Sequence, residues 1–402
     1  MKGDKTLKKI LFVIDNLNMG GVEKSLLTLL DNINSNDYRI DILPLVSKGI
    51  LEKDFLSKKI DILPLPKSKY DTKLLSNSFK KTVFDYFKNF SFFKIFKLVS
   101  LLIKGKCNKW TREMSISESV RCTIVDSFDN LNKSYDIAVG YIDRQYSYYV
   151  IKKVNAKRKF MWIHSDYDVV DDSIKGYYET YKKFDSIICV SNKAKSSFLN
   201  KFNSLSDKIV IINDALDIKK MDSAKPYNFG NNSVNLLAVG RLSPEKRFLH
   251  LIDIFNIINN RVSKEIKLYI VGDGPEFGLI AKKIDDLNLK DKVVLLGNQD
   301  DPYQFIKSSD LFLQPSIKEG FCLTIYEALY LKKFVIAYDI ADIKNIIDDG
   351  INGYICEDDN CFIEKTISAI EGELYNNKNI SLSRNHNSNV NMKIKKLFEE
   401  DR

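Results

Sequence analysis

The sequence is poor in the residues that mark a metal, redox or secreted framework. Its 402 residues include six cysteines: Cys107, Cys122, Cys189, Cys322, Cys356 and Cys361. They form no CxxC pair and have no histidine at zinc-ligand spacing, so neither a disulfide scaffold nor a zinc site is indicated. They read as reduced thiols. Histidine is scarcer, three in all, and only His164, which ends an apolar strand, invites a role; His250 and His386 receive none. No stretch reaches about 18 apolar residues free of charge, which argues against a membrane-spanning helix. The opening MKGDKTLKKI runs directly into the strand-like LFVI, without the apolar stretch and cleavage site of a signal peptide. A cytoplasmic location is expected. No internal repeat is present.

The charge is +9, from 62 Lys and Arg against 53 Asp and Glu, and it is concentrated. Residues 67–112 hold twelve basic side chains against Asp71 and Asp85, a local excess of +10 that leaves the remainder of the chain at −1. A protein that coats nucleic acid needs positive charge across its recognition surface. No nucleic-acid partner is therefore expected.

Apolar residues make up 44% of the chain and charged ones 29%, the composition of a folded protein with two or three domains at about 150 residues each. Short β-branched runs alternate with helix-length stretches. In the first half strands are predicted at Lys9 to Ile14, Tyr38 to Val46, Ile60 to Leu65, Asp136 to Tyr141, Lys159 to His164, Ser186 to Ser191 and Lys208 to Asn213. In the second they are predicted at Val234 to Gly240, Lys267 to Gly272, Lys292 to Gly297, Asp310 to Gln314 and Phe334 to Tyr338. Several are apolar nearly throughout, as in parallel strands covered on both faces. The reading is α/β: two Rossmann-like, doubly wound domains facing across a cleft, with ligands at the carboxyl ends of the strands. The break is expected within Asp217 to Ser233. The expected domains are 1–217 and 218–380, followed by 381–402, a tail or helix that can cross back to the first domain, with a last helix at Met392 to Glu400.

Five motifs sit at strand ends. In KEGFCLTIYEALYLKK, from Lys318, a strand delivers the chain to Glu319 and Gly320 before a helix that contains Glu327. The first turn of such a helix suits a phosphate, to which Thr324 can add a hydroxyl. An acidic cap followed by a solvated Glu fits the same spacing. In AVGRLSPEKR, Arg241 and Lys246 follow a buried strand and suit a diphosphate, one as a fork and the other as a point charge; a pair of solvated cations fits as well. DNLNMGGVEKSLLTLL places Gly20 and Gly21 in a turn before a helix, but Glu23 precedes Lys24, so this is no Walker A loop. In VGDGPEFG, Phe277 replaces the third glycine of a dinucleotide fingerprint. The fifth motif is KFMWIHSDYD, with His164.

Taken together, GGVEKSLL, the strand-terminal His164, GRLSPEK, GDGP and the Glu319–Glu327 pair resemble the retaining glycosyltransferases of family 4, which have the two-domain GT-B fold. The resemblance runs from about residue 8 to about residue 370. It implies that Arg241 and Lys246 hold the diphosphate of a nucleotide-sugar and that Glu319 contacts the donor sugar. It also implies that the backbone through Gly320, Phe321, Cys322, Leu323 and Thr324 binds phosphate, that Glu327 takes the ribose hydroxyls and that His164 faces the sugar. Gly20, Gly21 and Gly272 join the donor-binding set. The implied reaction moves a hexose or N-acetylhexosamine from a nucleotide-sugar, expected to be a UDP-sugar, with retention, to a lipid-linked or surface-polysaccharide acceptor. No cofactor and no metal are expected, since Arg241 and Lys246 can meet the leaving charge. A nucleotide-sugar epimerase of the same fold and a non-catalytic nucleotide-binding scaffold are the alternatives. INDALD departs from the family's Asn-Gly pair at Asp214 and Ala215.

The basic segment also carries ten aromatic residues. On a helical wheel Phe92, Phe96, Val99 and Ile103 fall within about 60° of one another, with Lys94, Lys97 and Lys104 pointing the other way. Such a stretch can lie in an anionic bilayer surface, on the inner face of the cell membrane. Packing the phenylalanines into the first domain's core, with the lysines solvated, is the alternative, and single-stranded nucleic acid is a third.

Overall fold

Strands that are apolar from end to end need cover on both faces, and here each is sandwiched between helices in one of two all-parallel sheets. The structure is a computed structural model describing residues 7–18, 20–33, 37–58, 60–75, 79–89, 92–107, 114–230, 232–340, 342–372 and 386–400. By contacts the chain forms two units, Met1–Ala215 with Val390–Arg402, and Leu216–Asn389.

The first unit holds β1 (Lys8–Asn16), β2 (Tyr38–Ser47), β3 (Asp61–Ile62), β4 (Ser134–Gly140), β5 (Asn155–Ile163), β6 (Ser186–Cys189) and β7 (Ile209–Ile211). Their order is β3-β2-β1-β4-β5-β6-β7. β1 is central, with Ile10 opposite Ile40 on one side and Ile137 on the other, and Ile10 through Ile14 are fully buried. The expected strand Ile60 to Leu65 shrinks to Asp61–Ile62 because Pro64 and Pro66 have no N–H to give a ladder. The helix His386–Glu399 ends in this unit, where Phe398 stacks on Phe160 and meets Tyr38 edge-on, and Lys8 Nζ donates to the Phe398 carbonyl at 3.0 Å.

The second unit holds β8 (Val234–Val239), β9 (Ile266–Val271), β10 (Val293–Gly297), β11 (Leu311–Gln314), β12 (Phe334–Tyr338) and β13 (Gly353–Cys356), in the order β10-β9-β8-β11-β12-β13. β13, four residues long, is absent from the sequence expectations.

In each sheet the winding direction reverses at one pair of neighbours, β1/β4 and β8/β11. Loops leaving two such strands diverge and open a crevice at their carboxyl ends, where ligands of doubly wound sheets bind. Gly20 and Gly21 follow β1. Arg241 follows β8, and Glu319 follows β11. Three of the sequence motifs thus sit at the two topological switch points, whereas His164 follows β5 and Gly272 follows β9.

Within the basic segment, helices span Phe79–Lys88 and Phe92–Cys107. The second lies on the helix Ile116–Asp126, and the approach is close: a Cβ on Gly105 would stand 2.2 Å from Ser119 Oγ. Leu98, Leu101 and Gly105 form its inward stripe, at the three- and four-residue spacing that keeps side chains on one helix face. Phe90, Lys109, Trp110 and Arg112 lie outside the described residues.

Candidate functional site

The β8/β11 switch point is built from charges brought together across the sheet. After β8 the chain turns at Ser243 into a short 3-10 segment, Pro244–Lys246, and Lys246 Nζ forms an ion pair with Glu319 Oε1. Both side chains are largely buried. Burial alone would depress the Lys246 ammonium, yet the charge of Glu319 outweighs it and the pKa is raised. Gln314, the last residue of β11, turns its amide onto Glu319 Oε1 at 3.2 Å, Ser316 Oγ at 3.0 Å and Cys322 Sγ at 3.1 Å. One carboxylate oxygen therefore takes both a cation and an amide. Burial raises the Glu245 carboxyl, but the Ser243 hydroxyl donating at 2.5 Å, with Lys246 and Arg241 nearby, holds it below its usual value. Arg241 itself is exposed at the end of β8.

The phosphate-type helix is Leu323–Tyr330, two residues later than the opening just after Gly320 suggested by the motif. Cys322 precedes it in the left-handed region, φ 63°, which sends the Phe321 ring onto Tyr326 with centroids 4.2 Å apart. Burial pushes the Cys322 thiol up. Side chains of Phe321 and Cys322 thus pack inward, and what this stretch offers a ligand is backbone: first-turn N–H groups have no partner within an α-helix and carry its positive dipole end. Leu323 and Thr324 are half-buried there.

Glu327 is 7% exposed, so the solvated carboxylate considered from spacing is not what forms. Tyr303 donates to Glu327 Oε1 at 2.9 Å, and burial together with that carboxylate raises the Tyr303 hydroxyl pKa. Gly272 has φ 144°, and a Cβ there would fall 1.8 Å from the Gly240 carbonyl oxygen. It allows the loops after β8 and β9 to touch, which is a structural duty.

In the first unit, Gly20 caps the helix Gly21–Asn32. The Glu23 carboxylate folds over it, 2.2 Å from where a Cβ would be, whereas Gly21 faces open space. His164 stands just past β5, with its ring 4.8 Å from that of Tyr141. Its Nδ1 is 3.7 Å from Asp214 Oδ1, and its Nε2 is buried without a hydrogen-bond partner. Ser25 donates to Asp214 Oδ1 at 2.5 Å and accepts from the Tyr141 hydroxyl at 2.8 Å. Asp214, the departure from the family pattern, is therefore the acid of a buried polar cluster around His164. Sequence reading passed over Ser25, Tyr141, Gln314 and Tyr303. Gln314 alone left a signal, a polar residue ending an otherwise apolar strand.

The remaining histidines are structural: His250 Nε2 lies 2.8 Å from Asp359 Oδ2, and His386 packs on Tyr326. Among the described residues, no three His, Cys, Asp or Glu side chains gather as metal ligands.

Residues 220–386 match the family model described as glycosyl transferases group 1. The chain is 30% identical over 156 residues to N-acetyl-alpha-D-glucosaminyl L-malate synthase of Bacillus anthracis, covering 39% of each protein. It is 28% identical over 202 residues to the UDP-Gal:alpha-D-GlcNAc-diphosphoundecaprenol alpha-1,3-galactosyltransferase of Escherichia coli, covering 47% of this chain and 52% of that one. These matches span less than two thirds of the relatives' lengths. Among solved structures, Anabaena HepE in complex with UDP and glucose is similar at a TM-score of 0.65 and 15% identity, covering 96% of this chain and 95% of that one. The fold is of the GT-B type, and the residues that match the glycosyl transferases group 1 model, 220–386, carry Arg241, Lys246, Glu319 and Glu327.

Proposed function

We propose that the protein is a retaining glycosyltransferase that moves a hexose or N-acetylhexosamine from a UDP-sugar to a lipid-linked or surface-polysaccharide acceptor at the inner face of the cell membrane. The observation that carries this reading is the Lys246–Glu319 pair beside Arg241 and the N-terminus of helix Leu323–Tyr330, all at the switch point of one sheet. When the glycosidic bond breaks, the leaving diphosphate gains negative charge. Fixed cations and helix amides aimed at it stabilise the transition state more than the ground state. Lys246 and Arg241 take that charge, the backbone of Gly320–Thr324 binds phosphate, and Glu319 receives sugar hydroxyls. Glu327, oriented by Tyr303, takes the ribose. In the first unit the unpaired His164 Nε2 is assigned to a sugar hydroxyl. The reaction is assigned no metal and no protein nucleophile.

The donor and acceptor classes are supported by what the relatives are named for: HepE binds UDP and glucose, and the Escherichia coli enzyme acts on a diphosphoundecaprenol-linked sugar.

The test is a screen of nucleotide-sugars for thermal stabilisation and donor hydrolysis, followed by transfer with and without EDTA and NMR of the product anomer. Lys246→Ala and Glu319→Ala are expected to lose about 100-fold or more in turnover. Near wild-type rates in both variants, or an inverted product, overturn the assignment.

A further inference from the structure

An amphipathic helix on a globular domain ordinarily turns its apolar stripe inward. Helix Phe92–Cys107 does the reverse with its larger stripe. Leu98, Leu101 and Gly105 face the domain, while on the opposite side, about 160° round the wheel, Phe93 is 70% exposed, Phe96 71% and Ile103 61%, with Val99 beside them. The preceding helix, Phe79–Lys88, adds Phe84 and Phe87 to the exposed apolar side chains of this segment. The core-packing alternative is thereby excluded for these residues.

The lysines that sequence reading gave to a membrane turn back toward the domain. Lys94 Nζ is 3.6 Å from Asp71 and lies over the Tyr86 ring. Lys97 donates to the Lys69 carbonyl at 2.9 Å, and Lys104 donates to the Tyr70 hydroxyl at 3.1 Å. The phenylalanines are thus presented by a scaffold whose own cations brace it. Lys81 and Lys88 remain exposed on the first helix.

We infer that this face is a docking surface for an anionic lipid bilayer, entered by Phe84, Phe87, Phe93, Phe96 and Ile103 and held mainly by apolar burial, with Lys81 and Lys88 at the headgroups. Charge selects this occupant. The segment carries an excess of +10 in a chain of +9, so a second copy would bring like charges face to face, whereas an anionic leaflet is complementary. Exposed apolar patches of this kind mark interaction sites, and rings at headgroup depth gain burial without losing the hydration of nearby lysines. The inference shares with the proposed function only the membrane location of the acceptor.

The experiment is co-sedimentation of the full chain, without donor, on vesicles of phosphatidylcholine alone and of equal phosphatidylcholine and phosphatidylglycerol. Wild type is expected on the anionic vesicles. The Phe93→Ser/Phe96→Ser double variant should lose about ten-fold or more in partitioning at unchanged melting temperature. Phe84→Ser/Phe87→Ser, on the other helix, is an independent second variant expected to do the same. Lys81→Gln and Lys88→Gln should each lose about five-fold, recovered in neither case by raising salt. Wild type that binds neither vesicle, double variants that bind like wild type, or a wild-type dimer made monomeric by Phe93→Ser/Phe96→Ser overturns the proposal, the last in favour of a second copy. Capture by an acidic protein in preference to vesicles overturns it too. Lys246→Ala should bind vesicles normally while losing transfer, so failure of docking and failure of the transferase reading are separable.

Discussion

Deleting either end of the Lys246–Glu319 pair probes the candidate site without a substrate. The two side chains are 24% and 12% exposed. At an effective dielectric of about 20, opposite charges in contact attract by about 4 kcal/mol, and desolvation returns a large part of that. A net coupling of about 2 kcal/mol is expected in a double-mutant cycle. Lys246→Met strands a buried carboxylate and Glu319→Gln strands a buried ammonium, so each should cost about 3 kcal/mol and the double variant about 4. Because two units need not unfold together, the readout should be local: urea-dependent hydrogen exchange of a peptide covering 234–246, alongside circular dichroism. The pH dependence has a definite sign. Lys246 is raised above its ordinary 10.5, so its contribution is fully present below that value and fades as pH climbs through the higher folded one. The gap between wild type and Lys246→Met should stay flat from about pH 7 to 9 and narrow above about 10.5. Coupling below about 0.5 kcal/mol, or a gap already closed at pH 9, would refute the pairing of these charges.

Three further outcomes follow from the same geometry. Gly272→Ala drives a Cβ to 1.8 Å from the Gly240 oxygen at φ 144° and should cost about 3 kcal/mol or more; in contrast, Gly21→Ala, with nothing within 4 Å, should be neutral or stabilising by about 0.5 kcal/mol. Comparable melting temperatures for the two variants would show that the loops after β8 and β9 do not touch. Asp214→Ala removes the acceptor of Ser25 and should cost about 2 kcal/mol in denaturant titration, against under about 1 for Asp214→Asn; equal losses would mean that the hydrogen bond is not what matters. In native protein, Cys107 is exposed while Cys122, Cys189, Cys322 and Cys356 are buried, and burial pushes the Cys189 thiol up to about 12. Titration with a disulfide reagent should therefore find one fast thiol, with Cys361 slower and the rest awaiting denaturant; four or more fast thiols would contradict the packing.

The sheets were largely legible because apolar runs such as Ile10–Ile14 and Phe334–Tyr338 have only one stable use, as strands covered on both faces. Legibility failed where that signal is diluted. Pro64 and Pro66 cut β3 short within a run that otherwise looks extended, and β13 is too brief to show a period. At the site, the residue types and their strand-end positions were readable, but their partners were not. Glu327 looks solvated by spacing until Tyr303 is found against it, and Asp214 looks like a lost motif until Ser25 and His164 are seen around it.

The sequence by itself determined the α/β alternation, the glycine-bearing loops at strand ends and the concentration of charge in one segment, since each is a local property of composition or period. Only the tertiary structure decided which distant charges meet. Lys246 and Glu319 are 73 residues apart and become neighbours because strand order puts β8 beside β11. It also decided which way the helix Phe92–Cys107 turns. A wheel separates lysines from phenylalanines, but which half faces the domain depends on what lies beneath it, and here Asp71, Tyr70 and the carbonyl of Lys69 draw the lysines in and leave the rings outside.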